Sequence, residues 1–326
     1  MKRTEVNILS SFSNLEVEEK TLFIGSCFAE NIGQKFNELE LDAFINPFGV
    51  IFHPIPIFQL FDRALSDYFF EPKDFFKFQD YWFNYQLSGS CAKFDKNEAV
   101  DFANQKLKEL KAKITSSDRL FLTFGTSVLR KISNDPVANC HKQSPELFTK
   151  EISTSAEIQK CIRPVLDRIF RINSNLKISL SVSPVRHSKE GMVENSLSKS
   201  NLVVLCNDLK FIYHKIEYLP IYEVVVDELR DYSFFKQDLV HPNNQAIEMV
   251  WQKLKKGLGS RVFIDFCNQS EQLLLSIKHK SIYPKSTQNI LFQKKMLTSI
   301  VEHEKKYGVN WHSKKEIIQT RLKNLV

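Results

Sequence analysis

Glycine and proline are scarce in this 326-residue chain, 9 and 11 in all. That leaves little room for long flexible linkers and excludes collagen-like or low-complexity architecture. No apolar run approaches the roughly 20 residues that a membrane span requires. The opening stretch MKRTEVNILSSFSNLEVEEK carries two early bases but lacks the hydrophobic run of a signal peptide. A soluble, cytoplasmic protein is expected. The six cysteines (Cys27, Cys91, Cys140, Cys161, Cys206, Cys267) are scattered, with no C-x-x-C or C-x-x-H spacing. Neither a zinc site nor a disulfide framework is expected, and no metal or cofactor is implied.

Charge of one sign is also missing from most of the chain. The net charge of +7 comes from 45 basic and 38 acidic residues. Residues Arg261 to Val326 hold 12 basic and 5 acidic residues, which leaves 33 of each in the first 260. The basic character therefore belongs to the C-terminal stretch, and the main body shows no strong nucleic-acid signal. What is abundant is phenylalanine, at 27 residues, which suits a heavily packed interior.

Short apolar runs bounded by polar or glycine punctuation read as buried parallel strands: Thr21–Gly25, Leu41–Ile45, Arg119–Gly125, Lys177–Ser183 and Ile216–Tyr222. Helical periodicity lies between them, over Cys27–Phe36, Glu98–Lys113, Ser155–Asn173, Ser196–Asp208 and Asn243–Lys255. The aromatic stretch Phe69–Leu87 fits no period. It is read as an insertion or short hairpin that forms a pocket wall. From about Arg261 the pattern becomes helical, over Ser270–Lys278 and Lys285–Lys306, with breaks at Pro284 and Gly308. The expected organisation is an α/β three-layer sandwich with a central parallel sheet of five strands in residues 1–260. A basic helical extension follows in 261–326, open to packing against the sheet, to pairing with another chain in an oligomer or to contact with an acidic partner.

In open parallel sheets ligands bind at the carboxyl ends of the strands. There stand Gly25-Ser26-Cys27, Asn46-Pro47-Phe48-Gly49, Gly125-Thr126-Ser127, Ser183-Pro184-Val185-Arg186-His187 and, later, Asp238-Leu239-Val240-His241. A thiol in the first turn of a helix meets unpaired N–H groups and the positive end of the dipole, which is expected to lower its pKa and stabilise an oxyanion. Asp238 and His241, three apart on a tight turn, bring a carboxylate within reach of an imidazole, which fixes its tautomer and stabilises the imidazolium. Arg186 and His187 sit where they can bind a carboxylate or phosphate of a substrate, with a loop-stabilising salt bridge as the alternative. Asn195, Ser198 and Lys199 read either as site residues or as a helix N-terminal region. His53, His214, His279, His303 and His312 have no supporting neighbours.

LFIGSCFAENIG, NPFGV, LTFGTS, VANCHK, SVSPVRH and DLVHPNNQAI occur in that order. Together they resemble the GSCFA family over roughly Met1–Gly257, a family similar to the SGNH/GDSL hydrolases. The resemblance implies an SGNH-hydrolase or flavodoxin-like sheet. Aligned on Gly25, the nucleophile slot falls on Cys27, and a one-residue slip would place it on Ser26. Asn46 and Gly49 match the block whose glycine N–H helps form an oxyanion hole. Asp238 and His241 match the Asp-x-x-His block without a gap. The third block departs: Gly125-Thr126-Ser127 lacks the asparagine that completes the oxyanion hole, a role Asn139 could take from a nearby loop. Ser127, Arg186, His187 and His141 remain as candidate substrate-binding residues.

The expected function is that of an acyl-ester hydrolase or O-acyltransferase with a small-molecule or carbohydrate ester substrate. The carbohydrate is suggested by the aromatic stretch Phe75–Tyr85. Two other classes stay open: a catalytically inactive binding module, favoured by the missing asparagine, and a nucleic-acid or membrane-surface protein acting through the basic tail.

Overall fold

A computed structural model describes residues 4–324, the Glu190 side chain excepted. Five apolar runs pair in parallel: β1 (Thr21–Gly25), β2 (Ala43–Ile45), β5 (Arg119–Phe124), β9 (Lys177–Val182) and β10 (Ile216–Tyr218), in the order β10-β9-β5-β1-β2. The register sets Phe23 beside Phe121 and Leu122 beside Leu180. Alternation along the strands then divides the core. Leu22, Ile24, Leu120, Leu122, Phe124, Ile178, Leu180 and Val182 face one side, while Phe23 and Phe121 face the other.

The first face is covered by α2 (Pro54–Leu65), α3 (Lys96–Ser116), α4 (Ser155–Ile172) and α5 (Met192–Ile212). The second is covered by α1 (Cys27–Glu38), by a short helix α6 (Ile221–Glu223) that runs into one π turn (Val224–Glu228), by α7 (Asn244–Leu258) and by α8 (Arg261–Lys278). This is the expected three-layer α/β arrangement. On α1, Phe28, Ile32 and Phe36 form one buried stripe. Phe36 packs edge-on against Trp251 of α7 at 5.6 Å, and Phe23 stacks on Phe121 at 4.6 Å. Each such side chain contributes about 1.5–3 kcal/mol by leaving water.

The second face also carries charge. Arg119, fully buried, lies 3.2 Å from Glu19 and 3.5 Å from Glu217 and donates to the Ser13 carbonyl at 3.0 Å. Glu217 in turn accepts from Ser10 Oγ, the Ser11 N–H and Ser179 Oγ. This network ties residues 10–19 to the sheet.

Several elements depart from the periodicity reading. Helix α2 begins at His53-Pro54-Ile55-Pro56, where both prolines fall in the first turn and obstruct no hydrogen bond. Helix α5 begins a turn before Ser196, at Met192. The stretch Phe69–Leu87 does contain a hairpin, β3 (Phe76–Phe78) with β4 (Tyr81–Phe83), turning through Gln79 and Asp80, both at positive φ. A further antiparallel sheet, unforeseen, joins β6 (Val128–Ile132), β7 (Asp135–Val137) and β8 (Thr149–Ile152) in the order β7-β6-β8.

Helix α8 buries Phe263, Phe266 and Cys267 in the same cluster as Phe23 and Phe121. Beyond it, α9 (Thr287–Tyr307) and α10 (His312–Lys323) close a small cluster of Ile277, Met296, Ile300, Trp311 and Ile318. Trp311 Nε1 donates to the Leu39 carbonyl at 3.2 Å, which fixes this extension to the end of α1. Lys306, Lys314 and Lys315 are paired with Asp265, Glu40 and Glu304. Among the described residues no helix is long and apolar enough to cross a membrane.

Candidate active site

The strand order reverses between β1 and β5: the chain leaves β1 through α1 on one face and reaches β9 from β5 through α4 on the other. A crevice at such a switch point is where open α/β sheets bind ligands. Gly25 ends β1 with φ +130°, and a Cβ there would lie 2.1 Å from the Thr123 carbonyl oxygen. Only glycine lets the two strands approach this closely. Ser26 N–H donates to that same carbonyl at 2.9 Å.

Ser26 is fully buried, and its Oγ caps α1 by accepting from Phe28 N–H at 3.2 Å. Cys27, the first residue of the helix, is half-buried. Its thiol pKa is raised: burial and the Glu30 carboxylate outweigh its own N–H and the ammonium groups of Lys236 and Lys199. The lowering expected from the helix terminus is thus reversed, because desolvation of a thiolate exceeds a partial dipole charge. At neutral pH this thiol therefore stays protonated.

Asp238 and His241 are carried by a tight loop that closes on itself. Lys236 N–H donates to the His241 carbonyl at 2.8 Å, and Phe235 bridges Pro242. Within it, Asp238 Oδ1 accepts the N–H groups of Val240 and His241, and Asp238 Oδ2 lies 2.8 Å from His241 Nδ1. These contacts hold the Asp238 carboxyl down at about 2. With Nδ1 facing a carboxylate, Nδ1 carries the proton and Nε2 is the basic nitrogen. Asn243 caps α7 immediately afterwards, so dyad and helix cap coexist.

A cavity of about 620 Å³ opens on this rim. Asp238, His241, Asn139, Arg186 and His187 line it, together with Phe52, His53, Thr126 and Lys189. Asn139 Oδ1 accepts the His141 N–H at 2.8 Å, which leaves Nδ2 as its group for a ligand. His187 is oriented edge-on against Phe52, 5.3 Å between centroids, and its N–H donates to Asn195 Oδ1. Ser26 and Cys27 are not among the residues that line the cavity. Phe28, next to Cys27, shares an apolar cluster with Phe235 of the His241 loop, and Lys236 acts electrostatically on the thiol.

Other expected residues have different work. Gly49 N–H is taken by the Asn46 carbonyl at 2.8 Å in a turn, so it is not offered to an oxyanion. Asn46 Oδ1 accepts the Gly25 N–H at 2.8 Å and clamps the ends of β1 and β2 together. Ser127 is fully buried; its N–H donates to Ser198 Oγ and its carbonyl accepts from Ser153. His141 is buried among Phe76, Phe83 and Tyr85, with Nε2 on the Asn84 carbonyl at 2.9 Å. The aromatic stretch is therefore a platform under the Asn139 loop, since Tyr85 O receives the N–H groups of Ala138 and Asn139. None of its residues is among those lining the cavity, which removes the support it lent to a carbohydrate substrate.

Lys199 and Ser198, left open by the sequence, and His53, left without a role, take definite places. Lys199 is completely buried, with Nζ 2.5 Å from the Gly125 carbonyl and 2.7 Å from that of Ser183, and burial pushes its pKa down to about 7. Ser198 bonds Thr126 Oγ1 and the Ser127 N–H. His53 caps α2 by accepting from Ile55 N–H at 3.1 Å, and burial pushes its pKa down to about 3, so it stays neutral with its proton on Nε2. The Pro54–Pro56 pattern after His53 is the signal that could have found it. Among the described residues no group of three or more His, Cys, Asp or Glu could hold a metal ion.

No curated protein and no solved structure matches the chain. The GSCFA family matches residues 20–254, which include all five strands of the central sheet, the Gly25-Ser26-Cys27 junction and the Asp238–His241 turn. That match spans well over half of the sequence, and the chain belongs to the GSCFA family.

Proposed function

We propose that the protein is an acyl-ester hydrolase or O-acyltransferase working through Cys27, His241 and Asp238. The observation that carries this reading is the 2.8 Å contact of His241 Nδ1 with Asp238 Oδ2 on the wall of the switch-point cavity. The strand order, 2-1-3-4-5 when the five parallel strands are numbered along the chain, is the flavodoxin-like one. It supports an SGNH-like relationship. Of the adjacent pair, Cys27 is favoured as nucleophile, because Ser26 Oγ is buried and occupied as a helix cap.

In this mechanism Cys27 Sγ attacks the ester carbonyl and its proton passes to His241 Nε2. Asp238 stabilises the imidazolium. The tetrahedral intermediate collapses, the alkoxide leaves with the proton from His241, and a thioester remains on Cys27. Water, or an acceptor alcohol in transfer, then gives its proton to His241, attacks the thioester and releases Cys27 as the thiol. The oxyanion is met by the Cys27 N–H in the first turn of α1 and by Asn139 Nδ2.

The test is hydrolysis of p-nitrophenyl acetate, with labelling by iodoacetamide and by a fluorophosphonate mapped by peptide mass spectrometry. Hydrolysis lost in both Cys27→Ala and His241→Ala supports the reading. Activity that survives both substitutions defeats it. A binding module without catalysis is the second reading, and the absence of Cys27 from the residues that line the cavity favours it. Absent hydrolysis in a protein that still binds ligand would select that alternative.

A further inference from the structure

Two cations on the cavity wall, Arg186 and Lys189, meet no carboxylate among the described residues. Among the described residues Asp238 is the carboxylate that lines the cavity, and both Asp238 oxygens are taken by His241 and Val240. Arg186 is the informative residue. It is half-buried, with its guanidinium 5.1 Å from the Phe235 ring centroid and its backbone N–H 3.4 Å from the Val240 carbonyl. Among the described residues it forms no ion pair, and no protein acceptor meets its side-chain N–H groups. Lys189, exposed on the same wall, likewise has no carboxylate partner among the described residues.

A surface arginine left to water is unremarkable, but the setting of this one differs. A guanidinium held over an aromatic ring is restrained. Its donors form a planar fork that matches a carboxylate or phosphate in bidentate fashion. The salt bridge that would have made Arg186 a loop fastener is absent among the described residues. The loop is fastened instead by its N–H on Val240 and by the His187 N–H on Asn195. Arg186 also follows directly from the end of β9 and joins the His241 loop through Val240, so an anion it holds lies in the cavity that carries the dyad.

We propose that the cavity takes an ester bearing its own oxyanion, a carboxylate or a phosphate, and that Arg186 grips that group while Lys189 adds charge on the same wall. The substrate class rests on the esterase reading above; the anion site itself does not, and the experiment separates them. Inorganic phosphate is titrated against the wild-type protein, Arg186→Met and Arg186→Lys by calorimetry, with circular dichroism to verify folding. Phosphate affinity is expected to fall about 10–100-fold in Arg186→Met. It should also fall in Arg186→Lys, which keeps the charge and loses the fork, so that variant decides the matter if the methionine variant does not fold. Wild-type protein that does not bind phosphate, or binding unchanged in the folded variants, overturns the proposal.

The second arm compares p-nitrophenyl acetate with the mono-p-nitrophenyl ester of succinate, charged on the acyl side, and with 4-acetoxybenzoate, charged on the leaving group. At least one anionic ester should show a kcat/KM advantage, carried in KM, that collapses in Arg186→Lys. Equal use of neutral and anionic esters overturns the substrate class while leaving the esterase reading intact. Phosphate binding through Arg186 with no ester turned over defeats the esterase reading and the ester class, and leaves the anion site standing.

Discussion

Lys199 Nζ lies 2.5 Å from the Gly125 carbonyl oxygen, so that α5 is joined to the end of β5 by a completely buried ammonium. The Ser183 carbonyl at 2.7 Å adds the end of β9. Two carbonyl dipoles do not replace full hydration, and burial brings the folded pKa to about 7 from 10.5. Between these values the unfolded chain holds a proton that the folded protein has released. Stability therefore rises with pH over this window, and the burial penalty is fully present below pH 7. Urea denaturation should show a gain on the order of 2 kcal/mol between pH 7 and 9. Lys199→Met should lack that gain. A wild-type protein equally stable at both pH values would show that the ammonium is better solvated than its surroundings suggest.

Cys27 reactivity should respond to two neighbours in opposite directions. Its pKa is raised by burial and by Glu30, and lowered by Lys236 and Lys199. Alkylation by iodoacetamide, followed at Cys27 by peptide mass spectrometry, should be slow at pH 7 and climb with pH. Glu30→Gln should speed it about two- to fivefold at pH 8, and Lys236→Gln should slow it by a similar factor. Cys161, which is exposed, serves as the internal reference. Equal labelling of Cys27 in all three proteins would contradict the electrostatic account.

The central sheet and the Gly25–Cys27 junction were legible because their signals are local: an apolar run, the glycine that punctuates it, and a helix stripe of Phe28, Ile32 and Phe36. Asp238 and His241 were legible for the same reason, since their contact is closed by three residues of chain. What escaped depends on distant partners. Lys199 stays open between a site residue and part of a helix N-terminal region until Gly125 and Ser183 are brought to it from the ends of two different strands. Gly49 carries a family glycine, but whether its N–H points to a ligand or to Asn46 is decided by the turn. Helix α2 was not among the expected helices; its Pro54 and Pro56 are first-turn residues, where they obstruct no hydrogen bond. The three strands β6, β7 and β8 cover too little apolar surface to announce themselves.

Asp238 is expected to matter through His241 and not through the substrate. Its Oδ2 contact keeps the Nδ1 tautomer, so Asp238→Asn lets the imidazole adopt the form whose Nε2 is protonated and no longer basic. On the esterase reading, kcat for p-nitrophenyl acetate should fall about 10²–10⁴-fold, with KM little changed. The Asn side chain still accepts the N–H groups of Val240 and His241, so the loop should persist. A variant that loses KM and kcat together would point to loop collapse instead.

The buried Arg119–Glu217 pair offers a test of the fold that is independent of any chemistry. Arg119 faces two carboxylates, Glu19 and Glu217, and the Glu217 carboxylate also receives Ser10, Ser11 and Ser179. Removing the cation leaves Glu217 buried without a counter-charge, so Arg119→Met should cost about 3–5 kcal/mol in urea denaturation. The companion change Glu217→Leu removes the stranded carboxylate along with its hydrogen bonds to residues 10 and 11. The double variant should therefore recover part of the stability while its N-terminal segment loosens and becomes open to proteolysis near residues 10–13. If the double variant is less stable than Arg119→Met and the segment stays protected, the carboxylate holds the sheet by its hydrogen bonds and the ion pair is incidental.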